Sequence, residues 1–137
     1  MTNLTLAQSY LIKATHRLKI LPVLLDEGAY SDVVREAQEL VELALKGMLR
    51  QVGVEPPKWH DVGDMLIEHQ VRLPEGVRIS VPRLAEVSAW LRREREFAFY
   101  GDEDFIPTSE YTREDALRAM SDAQFAVACA REVIPLA

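Results

Sequence analysis

With 137 residues, 48% hydrophobic and 28% charged, the chain has the size and balance of one globular domain with a core of its own. A net charge of −6 excludes a broadly basic nucleic-acid-binding surface, though not a local basic pocket. The single cysteine, Cys129, excludes an internal disulfide or a cysteine-built zinc site, and no run approaches the roughly 18 apolar residues of a membrane span.

The first segment runs from about Leu4 to Asp26. Ala7, Tyr10, Leu11, Ala14, Leu18, Leu21 and Leu25 recur at steps of three and four, which puts them on one helix face. Pro22 interrupts that face, so a kink there or two abutting helices are expected, with Gly28 as the stop. The second helix has the strongest stripe: Val34, Ala37, Leu40, Val41, Ala44, Leu45, Met48, Leu49 and Val52, with Arg35, Glu36, Gln38, Glu39, Glu42, Lys46 and Arg50 off it. Ser31 is its candidate N-cap and Gly53 its candidate terminator.

Glu55-Pro56-Pro57-Lys58 is a stiff connector, since each proline also restricts its predecessor. A shorter helix follows from Asp61 to about Gln70, and Leu73-Pro74-Glu75-Gly76 reads as a turn. Val77-Arg78-Ile79-Ser80-Val81 alternates, but a lone strand has no partner, so an extended lead-in is expected. Pro82 suits the first turn of a fourth helix reaching Phe99, and an acidic loop spans 101–107. Thr112 with Asp115 caps the last helix, whose stripe of Ala116, Ala119, Ala123, Ala126 and Ala130 predicts close helix–helix approach. Cys129 falls in this alanine-rich run and reads as a small buried apolar residue. The fold class is therefore all-α: one up-and-down bundle of about five helices over residues 1–137, the first kinked at Pro22. The opening residues lack a basic stretch followed by an apolar block, so the expected compartment is cytoplasmic.

Three pieces stand in order along the chain. They are Gly28-x-Tyr30 leading to Ala37-Gln38-Glu39-x-x-Glu42-x-Ala44-x-Lys46; Gly53-x-x-Pro56-x-Lys58-x-His60 leading to Met65-Leu66; and Arg92-x-x-Arg95-x-x-Ala98-x-Tyr100, followed by Pro107 and Tyr111-Thr112-x-Glu114-Asp115-Ala116. The combination resembles the HEPN family, named for higher eukaryotes and prokaryotes nucleotide-binding, over about Leu4 to Val133. The resemblance implies a helical bundle, frequently a homodimer, that often accompanies a minimal nucleotidyltransferase as in a toxin–antitoxin pair, and a nucleotide or RNA ligand. Some members are ribonuclease toxins that carry an arginine and, four to six residues further on, a histidine. In this chain His16, His60 and His69 lack an arginine at that spacing, and Arg95-Glu96-Phe97-Ala98-Phe99-Tyr100 ends on tyrosine. With an ordinary pKa near 10, tyrosine is a poor acid or base at neutral pH. No catalytic residue is assigned; a degenerate ribonuclease and a purely structural dimerisation module remain the alternatives.

Arg95 follows Leu91 by four and precedes Ala98 by three, so a charge lands on the apolar stripe of the fourth helix. Two readings fit: it pairs with a glutamate of the second helix or lies at a solvated helix end, or Arg92, Arg93, Arg95 and Tyr100 line an anion-binding cleft. His60, with Lys58, either bonds nearby backbone at a helix start or helps hold an anion there. Lys46, on the polar flank of the second helix, suits a pair with Glu42 at the i,i+4 spacing and is otherwise a candidate anion-binding residue. Trp59 and Trp90 read as core or interface anchors. The histidines are too scattered for a metal motif, and no glycine-rich phosphate loop or calcium loop occurs. No metal and no cofactor is expected, nor membrane insertion or sequence-specific DNA binding.

Overall fold

The computed structural model describes residues 4–56, 58 and 61–136. Helix α1 (Leu6–Leu18) opens on a capping box: the Thr5 hydroxyl accepts from Gln8 N at 3.1 Å, and the Gln8 side chain accepts from Thr5 N at 2.9 Å. It ends at Leu18, and α2 (Leu21–Asp26) begins after a break at Lys19–Ile20. The discontinuity thus falls ahead of Pro22, not on it. A proline at 22 cannot donate to the Leu18 carbonyl, so α1 stops there; in the first turn of α2 its missing N–H costs nothing.

Gly28 (φ 72°) closes α2 with a paired return: Ala29 N donates to Leu24 O and Gly28 N to Leu25 O, at 2.9 and 3.0 Å. The chain re-enters helix at once. Helix α3 therefore starts at Tyr30, with Ala29 at the cap and no side-chain capping bond, and Ser31 lies inside the first turn rather than capping it. Gly53 (φ 83°) ends α3 (Tyr30–Gln51) by the same device, with Val54 N donating to Leu49 O at 2.9 Å.

Helix α3 is the centre of the bundle. Val33, Val34, Ala37, Leu40, Ala44, Leu45, Met48 and Leu49 have no exposed surface, because α1, α6 and α8 all pack around this helix. Helix α4 (Val62–Glu68) is capped by Asp61, whose Oδ1 accepts from Gly63 N at 2.8 Å. It buries Val62 and Leu66 against α6.

Residues 75–78 form a helical turn, α5 (Glu75–Arg78), where an extended lead-in was expected. The reason is visible in the burial: Val77 and Val81, four apart, are buried, while Ile79 is 86% exposed. Alternation would have placed all three on one face. Helix α6 (Val81–Phe99) carries Pro82 in its first turn and buries Val81, Leu84, Val87, Leu91 and Ala98. After the turn 101–106, closed by a bridge between Asp102 and Phe105, a short helix α7 (Pro107–Glu110) leads to Thr112. Thr112 and Asp115 cap α8 (Arg113–Val133) reciprocally, at 3.2 and 2.9 Å. Ala116, Ala119, Ala123, Ala126 and Ala130 of α8 are fully buried in its extensive contact with α3, as the alanine stripe predicts. Five helices of seven residues or more thus build an all-α bundle, and no strand forms among the described residues. Among those residues, no helix is long and apolar enough to cross a membrane.

Candidate functional site

Helices α3 and α6 pack in opposite directions. The Arg35 guanidinium, near the start of α3, lies 5.3 Å from the centre of the Phe99 ring at the end of α6, whereas Arg92, two turns earlier in α6, faces Glu42, two turns later in α3. The apolar stripes meet beneath, so the polar edges of both helices are left facing each other along a seam.

Two adjoining cavities open in that seam. The larger, about 400 Å³, is lined by Arg35, Arg92, Arg95, Glu96 and Tyr100. The smaller, about 180 Å³, is lined from α3 by Gln38, Glu39, Glu42 and Lys46, and from outside it by Lys58, Arg92 and Arg95. Arg92 and Arg95 belong to both. Of the residues singled out from sequence, the structure brings together Arg92, Arg95, Tyr100 and Lys46. Arg93 is exposed and lines neither cavity. His60 and Trp59 lie outside the described residues.

The charges of the groove are unequally engaged. Arg35 Nη1 forms an ion pair with Glu39 Oε1 at 2.9 Å and donates a hydrogen bond to Gln38 Oε1 at 3.3 Å. Glu42 faces two cations, Arg92 at 3.5 Å and Lys46 at 3.6 Å, the latter being the expected i,i+4 pair. Both distances exceed the 2.7–3.2 Å of a good N–H···O bond, and Glu42 Oε1 is buried with no hydrogen bond among the described residues. Arg95 has no ion-pair partner among the described residues.

Arg95 lies at the solvated end of the helix, as one of its readings allows: the last two turns of α6 run beyond the core and only Ala98 there returns to it. The glutamate of α3 is taken by Arg92, not Arg95. Glu94, seven residues after Val87 and so on the same face of α6, is satisfied by a tyrosine: Tyr111 donates its hydroxyl to Glu94 Oε2 at 2.7 Å. Burial first, and then this bond to a carboxylate, push the Tyr111 phenol well above its ordinary value.

Sequence reasoning passed over Arg35, Gln38, Glu39 and Glu42 as site residues. A signal existed, since 35, 38/39, 42 and 46 recur at steps of three and four along one edge of α3. Chemically, the groove offers arginine forks suited to phosphate or carboxylate. Tyr100, 75% exposed, and Phe99 beside it (centroids 4.8 Å apart) add an aromatic rim. Among the described residues, no group of three or more histidine, cysteine or acidic side chains could hold a metal ion.

A family model described as "HEPN domain" matches residues 7–134. Among solved structures, the crystal structure of TT1696 from Thermus thermophilus is similar, with a TM-score of 0.74 and 26% sequence identity. The match covers 93% of this chain and 98% of that one. None of the curated proteins matches.

Proposed function

The chain belongs to the HEPN family, and from that premise we propose that its α3–α6 groove binds the phosphate of a nucleotide or of an RNA backbone. The observation that carries this reading is Arg95: a guanidinium with no ion-pair partner among the described residues, at the junction of two cavities that Arg92 also lines. A cation paired within its own protein has little left to offer an anion; an unengaged one at the mouth of a cavity keeps its fork available. Arg35 and Lys46 extend the positive edge along α3, and Lys58 closes its far end. Tyr100 stands where the ribonuclease members carry histidine, and its ring offers a stacking face rather than a proton carrier.

In the cell, the protein acts as a cytoplasmic homodimer and as the accessory subunit of a minimal nucleotidyltransferase encoded beside it. Family membership supports this pairing. Calorimetric titration of the full chain with nucleoside mono- and triphosphates tests the ligand, and co-purification with the product of the neighbouring gene tests the partner. Saturable nucleotide binding and a stable complex are the expected results. Absence of both ends the proposal, and cleavage of total RNA that depends on Arg95 would replace it with a ribonuclease.

A further inference from the structure

We infer that the smaller cavity is a base-reading pocket in which Gln38 and Glu42 select a nucleobase with a lactam edge, a ring carbonyl beside a ring N–H, as in guanine and uracil. This inference rests on the nucleotide reading above and adds the identity of the base.

The argument starts with burial. Gln38 is 2% exposed, yet it lines the smaller cavity, so what little surface it keeps is turned to that space. Its carboxamide orientation is fixed chemically: Arg35 has only donors, so the oxygen of Gln38 must face it, and Oε1 accepts from Arg35 Nη1 at 3.3 Å. The amide nitrogen is thereby left as the free end, and no acceptor among the described residues receives its N–H. One turn along α3, Glu42 has the opposite need. Its side chain is 16% exposed, and its carboxylate is held by Arg92 and Lys46 at ion-pair but not hydrogen-bond distance.

An unused donor and an under-bonded acceptor thus sit four residues apart on one helix face, where side chains are neighbours. A lactam complements both at once: its carbonyl takes the Gln38 N–H, and its ring N–H is taken by the Glu42 carboxylate. Adenine and cytosine present the reverse pattern, an amine beside a bare ring nitrogen, which would set donor against donor and acceptor against acceptor. The sizes agree with a division of labour. About 180 Å³ is below the roughly 300 Å³ at which pockets enclose a whole drug-sized molecule, whereas the adjoining cavity of about 400 Å³ offers a phosphate Arg95, which has no ion-pair partner among the described residues.

The test is calorimetric titration of the full chain with GMP, UMP, AMP and CMP, and with pyrophosphate as a base-free probe. GMP and UMP are expected to bind at least about tenfold more tightly than AMP and CMP, the effect of one buried hydrogen bond made or left unmade. Gln38→Met, close in shape but without the amide, is expected to erase that ratio while pyrophosphate binding persists. Gln38→Glu sets an acceptor against the lactam carbonyl while Glu42 still opposes a bare ring nitrogen, so it too is expected to erase the preference for GMP and UMP. Circular dichroism checks both variants for helix, and the wild-type ratio decides alone if neither folds. Four affinities within about threefold of one another, or a preference that survives Gln38→Met, overturn the inference and leave the phosphate site standing. No saturable binding of any nucleotide or of pyrophosphate overturns both.

Discussion

Replacing Arg95 with alanine separates binding from folding more cleanly than any other change in the groove. The side chain is exposed and has no ion-pair partner among the described residues, so truncation removes no internal contact that a charge-pair argument would count. Surface changes of this kind stay within about 0.5 kcal/mol of wild-type stability. A charge-assisted hydrogen bond to a phosphate is worth about 1.5–3 kcal/mol, so Arg95→Ala weakens phosphate binding between about tenfold and about 150-fold. Arg93→Ala is the matched control: it removes the same charge from the same helix at a position that lines neither cavity. Its affinity for pyrophosphate changes less than about twofold. Urea denaturation gives the stabilities and calorimetry the affinities. Equal losses of affinity in both variants would reduce the effect to net charge. Lost stability with unchanged affinity in Arg95→Ala would make Arg95 a structural residue and refute the reasoning.

Thr112→Ala removes one half of the capping box of α8 and lowers stability by about 1 kcal/mol, measurable as a lower urea midpoint at unchanged slope. Burial raises the Asp122 carboxyl above its ordinary value despite the opposing pull of Arg118 and Arg83. The folded state therefore holds that proton more tightly than the unfolded one, and the ionised group weighs against folding until pH falls through its raised value. Asp122→Asn is accordingly no less stable than wild type at pH 7, with an advantage that shrinks toward pH 4 in a denaturation series; a variant equally destabilised at every pH contradicts this. Burial also pushes the Cys129 thiol up, so it stays unreactive to a thiol reagent in the native protein and reacts on unfolding. Rapid native labelling would show that the α8 face is open.

What sequence patterning conveys is set by how far each signal depends on neighbours in the chain. The stripe of α3, the alanine face of α8, the Thr112 cap and the stops at Gly28 and Gly53 are local, and each appears in the structure as read. Ser31 and the 77–81 segment depart from the local reading because local preference is overruled: the return at Gly28 starts α3 two residues ahead of a helix capped by Ser31, and burial of Val77 with Val81 favours a helical turn. Whether Arg95 is paired or solvated stays open in the sequence, because a stripe records which face points inward but not where the core ends. The α6 half of the groove was legible from its arginines. The α3 half was not, since Gln38, Glu39 and Glu42 look like any solvated edge until an antiparallel α6 lies across from them.

The position of α3 has a dynamic corollary. One wall of the groove belongs to the helix that every large neighbour covers, while the opposite wall is the end of α6, beyond the last apolar turn but Ala98. Amide hydrogens of α3 should exchange only on global unfolding, and those of 95–100 through local fraying. A ligand bridging the two walls then slows exchange chiefly at the end of α6, leaving α3 almost untouched.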